Sequence, residues 1–180
     1  METYKLEKFY KRKSYIFIKS ALYLLVFSLV HFIYDLLPNP LTLFIGANDE
    51  SVFSHMKMAF WSWIILALLE YIFLRKHIDR RKYFLSRMLT AIKLPFIEIL
   101  VYYVGVFIAM EELPLAIELT WAFITVYIIG IMGRIIEQYL EDLEYKNLYL
   151  YVILILFGLS MFFFTVFTYN KPWLDIFYLP

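Results

Sequence analysis

Cysteine is absent from the 180 residues, which excludes disulfides, thiol nucleophiles, zinc-thiolate sites and iron–sulfur clusters. Glycine is scarce, with five in the whole chain. No Gly-rich phosphate loop can be placed, and neither can the Gly-interrupted helix pairs of many secondary transporters. Charge is also thin, at 18% of residues, against about 25% in an ordinary soluble domain. What replaces it is apolar: 63% of positions, including 18 Phe, with 16 Tyr and 4 Trp adding amphipathic rings. This composition belongs in lipid, where Tyr and Trp settle at the headgroup level.

A membrane-crossing helix needs about 20 mainly apolar residues. Five stretches qualify, approximately Tyr15–Leu37, Met56–Leu74, Phe84–Met110, Leu113–Met132 and Leu148–Tyr169. The third is long enough to tilt, and Pro95 within it predicts a kink. Pro38 to Ala47 is too short and interrupted to cross, so it should lie in the interface. The chain therefore reads as a single integral membrane domain over residues 1–180, an all-α, polytopic transmembrane helix bundle. The basic residues before the first stretch resemble a signal-peptide n-region, but the run is long, lacks a cleavage pattern and is followed by more spans, so an uncleaved first helix is expected.

Orientation follows from lysine and arginine, since basic short loops stay cytoplasmic. With the N-terminus inside, all but Lys57, Lys93 and Lys171 of the 17 basic residues fall on or near the inner side. They comprise Lys5, Lys8, Lys11, Arg12, Lys13 and Lys19, then Arg75, Lys76, Arg80, Arg81, Lys82 and Arg87, then Arg134 and Lys146. The outer face holds Asp35, Asp49, Glu50, Glu111 and Glu112. The reading is N-terminus in, C-terminus out, multi-pass in the inner cell membrane, with Trp173, Phe177 and Tyr178 of the tail lying back on the interface. The lipid bilayer is the first partner. The basic stretches suit anionic lipid headgroups rather than nucleic acid.

Asn48 to Lys57 is the most informative stretch. Asn48 or Asp49 is expected to cap a helix, with Glu50 at its positive end. Ser51 and His55 would share one helix face, and Glu50, Ser54 and Lys57 an adjacent stripe. His31 and Asp35, four apart, lie near the outer end of the first span, so His31, Asp35, Glu50 and His55 can converge at one depth, and Glu118 can join them. Two imidazoles with carboxylates can ligate a divalent metal such as zinc, manganese or iron. They can equally serve as an acid/base pair, with Ser51 or Ser54 a weak nucleophile. The plainer alternative is a helix cap and interfacial histidines that tie a loop down.

Asp49-Glu-Ser-Val-Phe-Ser-His-Met-Lys57 resembles the Asn-Glu-Ser-x-Trp-Glu-His-x-Lys signature of an uncharacterised family of small bacterial multi-spanning proteins, domain of unknown function 6512. The matched positions are Glu50, Ser51, His55 and Lys57. His31-Phe-Ile-Tyr-Asp35 is similar to that family's His-Phe-x-Tyr-Glu run, and Phe167-Thr-Tyr-Asn-Lys-Pro172 to its closing Phe-Thr-x-x-x-Pro. Asp49, Phe53 and Ser54 depart from the signature. The resemblance implies a fold and a location in the membrane, and no activity.

A charge inside a bilayer costs at least about 2.5–3.5 kcal/mol, so Glu70, Lys93 and Glu98 require an explanation. Lys93 is expected to pair with Glu70 across antiparallel spans or to snorkel, and Glu98 to be neutral or hydrogen-bonded. The functional alternative is a transport or small-molecule-binding site on Lys93 and Glu98, with Tyr102 one turn away and Ser51 and Lys57 contributing at the outer mouth. A third possibility is a structural subunit whose aromatic helices dock another membrane protein or a second copy. No reaction is identifiable from these residues.

Overall fold

The computed structural model describes residue 10, residues 12–109 and residues 114–178. Lys5, Lys8, Lys11, Glu111, Glu112 and the facing ends of the third and fourth predicted spans lie outside the described residues. Among the described residues there are six α-helices and no strand: α1 Ser14–Leu36, α2 Pro40–Ile45, α3 Val52–Leu74, α4 Arg80–Ala109, α5 Leu115–Glu141 and α6 Asn147–Tyr169, followed by a 3₁₀ turn, Asp175–Phe177.

Four of these, α1, α3, α5 and α6, are long and apolar enough to cross a membrane, and the chain is a helical membrane bundle. α4 is the longest at 30 residues, or about 45 Å at 1.5 Å per residue, and carries Lys93 and Glu98 within its apolar run. The helix is nonetheless continuous through Pro95. It lies along the whole of α5: Arg87 near its start pairs with Glu137 and Glu141, and Tyr102 near its end donates to Glu118 at 3.3 Å. The long helices therefore alternate in direction, giving one end where α1 begins, rich in charge, and an opposite end that carries His31 and His55.

α3 is the axis of the bundle. In its most apolar stretch 61% of residues are buried, against 11% in α6, which faces outward on most sides. α3 packs on α1 and α4, α5 on α1 and α4, and α6 on α4. Two glycines of α5 let it approach α1 and α3 closely. A Cβ at Gly130 would sit 2.8 Å from Ser20 Cα, and one at Gly133 would sit 2.5 Å from the Trp63 ring. Close backbone contact through small residues is how helices gain packing where lipid supplies no hydrophobic drive.

The charged end departs furthest from the sequence reading. α5 continues as a helix to Glu141, past the stretch read as a span, and its last charges are neutralised inside the bundle. Lys19 Nζ donates to Glu70 Oε2 and Glu137 Oε2, both at 2.7 Å. Arg87 pairs with Glu70 at 3.3 Å, with Glu137 at 3.4 Å, and with Glu141. Arg134 reaches Glu137 at 3.2 Å and Glu141 at 3.3 Å. Three cations thus meet three carboxylates. Tyr15 donates to Glu70, Tyr10 to Glu141, and Tyr83 to Ala67 O at 2.6 Å and Glu70 at 3.1 Å. Lys19, Arg87 and Arg134, read from sequence as orienting surface charges, are each 3% exposed or less. Glu70 takes Lys19 and Arg87 as partners, not Lys93, which is exposed.

Removing one member of this set leaves buried charge uncompensated, a loss of about 3–5 kcal/mol for a buried pair. Lys19→Met, which strands Glu70 and Glu137, is expected to lower the melting temperature in detergent far more than the neighbouring surface change Lys13→Met. Gly130→Leu should separate α1 from α5, seen as faster proteolysis and a broadened melting transition.

Candidate functional site

The histidine end is built around a tight connection. Asn39 caps α2, its side chain accepting from Leu41 N at 2.9 Å and Thr42 N at 3.1 Å, while Thr42 Oγ1 accepts from Asn39 N in return. Proline at the first position of α2 suits a helix start, where its missing donor is not needed. Residues 46–51 then turn the chain into α3. The cap of α3 is Ser51, whose Oγ accepts from Ser54 N at 3.3 Å, and not Asn48 or Asp49. Asp49 instead braces the turn: its Oδ1 accepts from Ser51 N at 3.0 Å and Ser54 Oγ at 2.7 Å, and its other oxygen pairs with Lys171. Partial burial pushes the Asp49 carboxyl up, and the hydrogen bonds from Lys171, Ser51 and Ser54 outweigh it, holding the group well below the usual carboxylate range.

Because the helix starts at Val52, Glu50 lies in the turn rather than on a helical stripe, and its side chain reaches both histidines. Glu50 Oε2 is 3.4 Å from His31 Nε2 and 3.5 Å from His55 Nε2. The two imidazole centroids are 5.9 Å apart, edge to face. One ligand atom from each of His31, Glu50 and His55 lies within 4.8 Å of the others. His31 is 23% exposed, His55 36% and Glu50 62% in their side chains, so the triad opens outward. Hydrogen bonding to His31 draws the Glu50 carboxyl below its ordinary range, against partial burial, which raises it.

The state of His55 is constrained. Its Nδ1 is 3.0 Å from Ser51 O, a carbonyl that can only accept, so Nδ1 carries a proton. In the neutral ring Nε2 then presents a lone pair toward a carboxylate oxygen, which is repulsive unless a proton or a cation lies between them. An imidazole whose Nδ1–H is held by a backbone carbonyl is also the usual arrangement of a metal-ligating histidine.

The other residues singled out from the sequence separate from this triad. Asp35 is exposed one turn beyond His31 and outside the ligand group. Ser51 and Ser54 are buried and occupied by capping. Lys57, 1% exposed, donates to Leu43 O at 2.8 Å and so satisfies a carbonyl of the last turn of α2. Glu118 is bonded to Tyr102 rather than to a histidine. Glu98 is buried with Oε2 unpartnered among the described residues, whereas Lys93 is exposed, so the two do not face one another. Phe177 does not lie on the interface. It is 2% exposed and packs on Phe53 at 4.6 Å and Phe167 at 5.3 Å, drawing the C-terminal turn under the start of α3.

Sequence reading passed over the ionic cluster at the other end. One signal for it was available: Arg134, Glu137 and Glu141 are spaced three and four apart, which puts all three on one stripe of α5.

Comparison with curated proteins and with solved structures finds no match. A family model does match, over residues 4–179, nearly the whole chain and all of the elements above. The chain belongs to the family of unknown function DUF6512.

Proposed function

We propose that this membrane protein binds a divalent transition metal at its outer face through His31, Glu50 and His55, in an inner membrane that it crosses five times with the N-terminus inside. The observation that carries the reading is the His55 geometry, with Nδ1 committed to Ser51 O and Nε2 directed at Glu50 beside a second imidazole. Two imidazoles and one carboxylate with open positions form a donor set suited to zinc. Bound there, the metal would polarise an oxygen ligand or activate water. α4 serves as the fifth crossing because it runs the full length of α5, and its charged start shares an end with those of α1 and α6. The basic residues of the loops then face the cytoplasm.

The competing occupant of the gap is a proton, which would make His31 and His55 an acid/base pair with Glu50. Titration separates the two. Chelator-treated protein in detergent is expected to take up one zinc per chain by isothermal calorimetry, and His55→Ala and His31→Ala should each weaken it at least tenfold while the melting temperature of the apo protein stays within a few degrees. Equal zinc affinity in wild type and both variants would refute the metal reading.

Affinity also depends on pH with a defined sign. Ligating imidazoles must be unprotonated, and an ordinary histidine titrates near about 6.5. Zinc binding should therefore weaken as the pH is lowered through the histidine range, from about 7.5 to about 5.5. A flat profile across that interval would exclude histidine ligation.

A further inference from the structure

The charged end contains two classes of arginine. Arg87 and Arg134 are buried and matched by carboxylates. Arg80 and Arg81, at the start of α4, are exposed. Among the described residues Arg81 donates only to neutral oxygens, Asn147 Oδ1 at 2.9 Å and Tyr145 O at 3.3 Å, and Arg80 makes no ion pair. The nearest sequence acid, Asp79, accepts from Lys82 N at 3.1 Å as the cap of α4. Residues 75–82 thus hold five basic side chains against one carboxylate.

These two arginines stand at the mouth of a groove of about 250 Å³ between α4 and α6. Its walls are apolar: Phe84, Leu85 and Met88 from α4, Leu150 and Leu154 from α6. From the first turn of α4 the groove follows the helices toward the middle of the bundle, so in a membrane it runs from the headgroup level into the hydrocarbon. Uncompensated guanidinium at one end and an apolar channel along the helix axes match a molecule with an anionic head and an acyl chain.

We propose that this groove is a specific site for an anionic phospholipid, with the phosphate on Arg80 and Arg81 and one acyl chain between α4 and α6. A basic pocket between membrane helices recognises such headgroups by charge, while the chain holds the molecule in place. The site is independent of the histidine triad and lies at the opposite end of the molecule.

Native mass spectrometry of the full chain in a neutral detergent, with phosphatidylglycerol or phosphatidylcholine of identical chains added, tests this directly. Wild type should retain one phosphatidylglycerol at least tenfold more tightly than phosphatidylcholine. The double variant Arg80→Ala/Arg81→Ala should lose that preference, each arginine contributing about fivefold. Leu154→Trp, which fills the groove from the outward face of α6, should release the lipid while leaving melting unchanged. Arg75→Ala/Lys76→Ala, which removes equal charge outside the groove, should keep the preference, and millimolar inorganic phosphate should not displace the lipid. Equal retention of the two lipids by wild type would overturn the proposal. So would loss of preference in the Arg75/Lys76 variant matching that in Arg80/Arg81, displacement by phosphate, or an unchanged lipid count in Leu154→Trp.

Discussion

Six charges, five of them buried and Glu141 partly so, hold the bundle together. Lys19 of α1, Glu70 of α3, Arg87 of α4 and Arg134, Glu137 and Glu141 of α5 come from four different helices and sum to zero. Isolated ions of this kind each cost several kcal/mol to remove from water. Their mutual compensation is possible only when all four helices are in register, so the same groups that would forbid the wrong packing specify the right one. Tyr10, Tyr15 and Tyr83 add hydrogen bonds to the carboxylates, which count for more in a low-dielectric interior than in water.

From that end the packing becomes apolar and close. Gly130 and Gly133 bring α5 against Ser20 and Trp63, and Trp63 in turn lies 5.2 Å from Tyr23 and 4.8 Å from the Lys19 ammonium. The ionic cluster and the aromatic core are therefore continuous, and α3, at their centre, is fixed on most of its surface. α6 has no part in the ionic cluster. It holds to the bundle through Phe164 and Phe167 at the histidine end and through Asn147 and Arg81 at the other, leaving the groove between its first turns and α4.

The histidine end is positioned at second hand. α1 and α3 are aligned by Lys19 and Glu70, which sets His31 and His55 at one level. The turn between them is then secured by short-range chemistry: Asn39 and Ser51 as caps, Lys57 on Leu43, and Asp49 on Lys171. These bonds occupy the serines and the lysine, which explains why only His31, Glu50 and His55 remain directed at one another. A polar-rich sequence segment has resolved into a small outward-facing triad on a structural frame.

Residue order alone determined that the chain is helical and lies in lipid, because runs of some 20 apolar residues have no other stable home. It also brought His31, Glu50 and His55 to one end, since consecutive antiparallel helices return to the same depth. It could not determine partners. From the sequence Glu70 is expected opposite Lys93, yet Lys19 and Arg87 claim it, because residue count gives only an approximate depth and says nothing of which helix faces pack or in what register. The same limit hid the partners of the last charges of α5, Arg134, Glu137 and Glu141, which only tertiary packing supplies. It also hid the cap at Ser51, because several residues in that turn can cap a helix and only the packed loop selects one. Periodicity and composition are properties of the chain, whereas charge pairing is a property of four helices at once, and only the tertiary structure decides it.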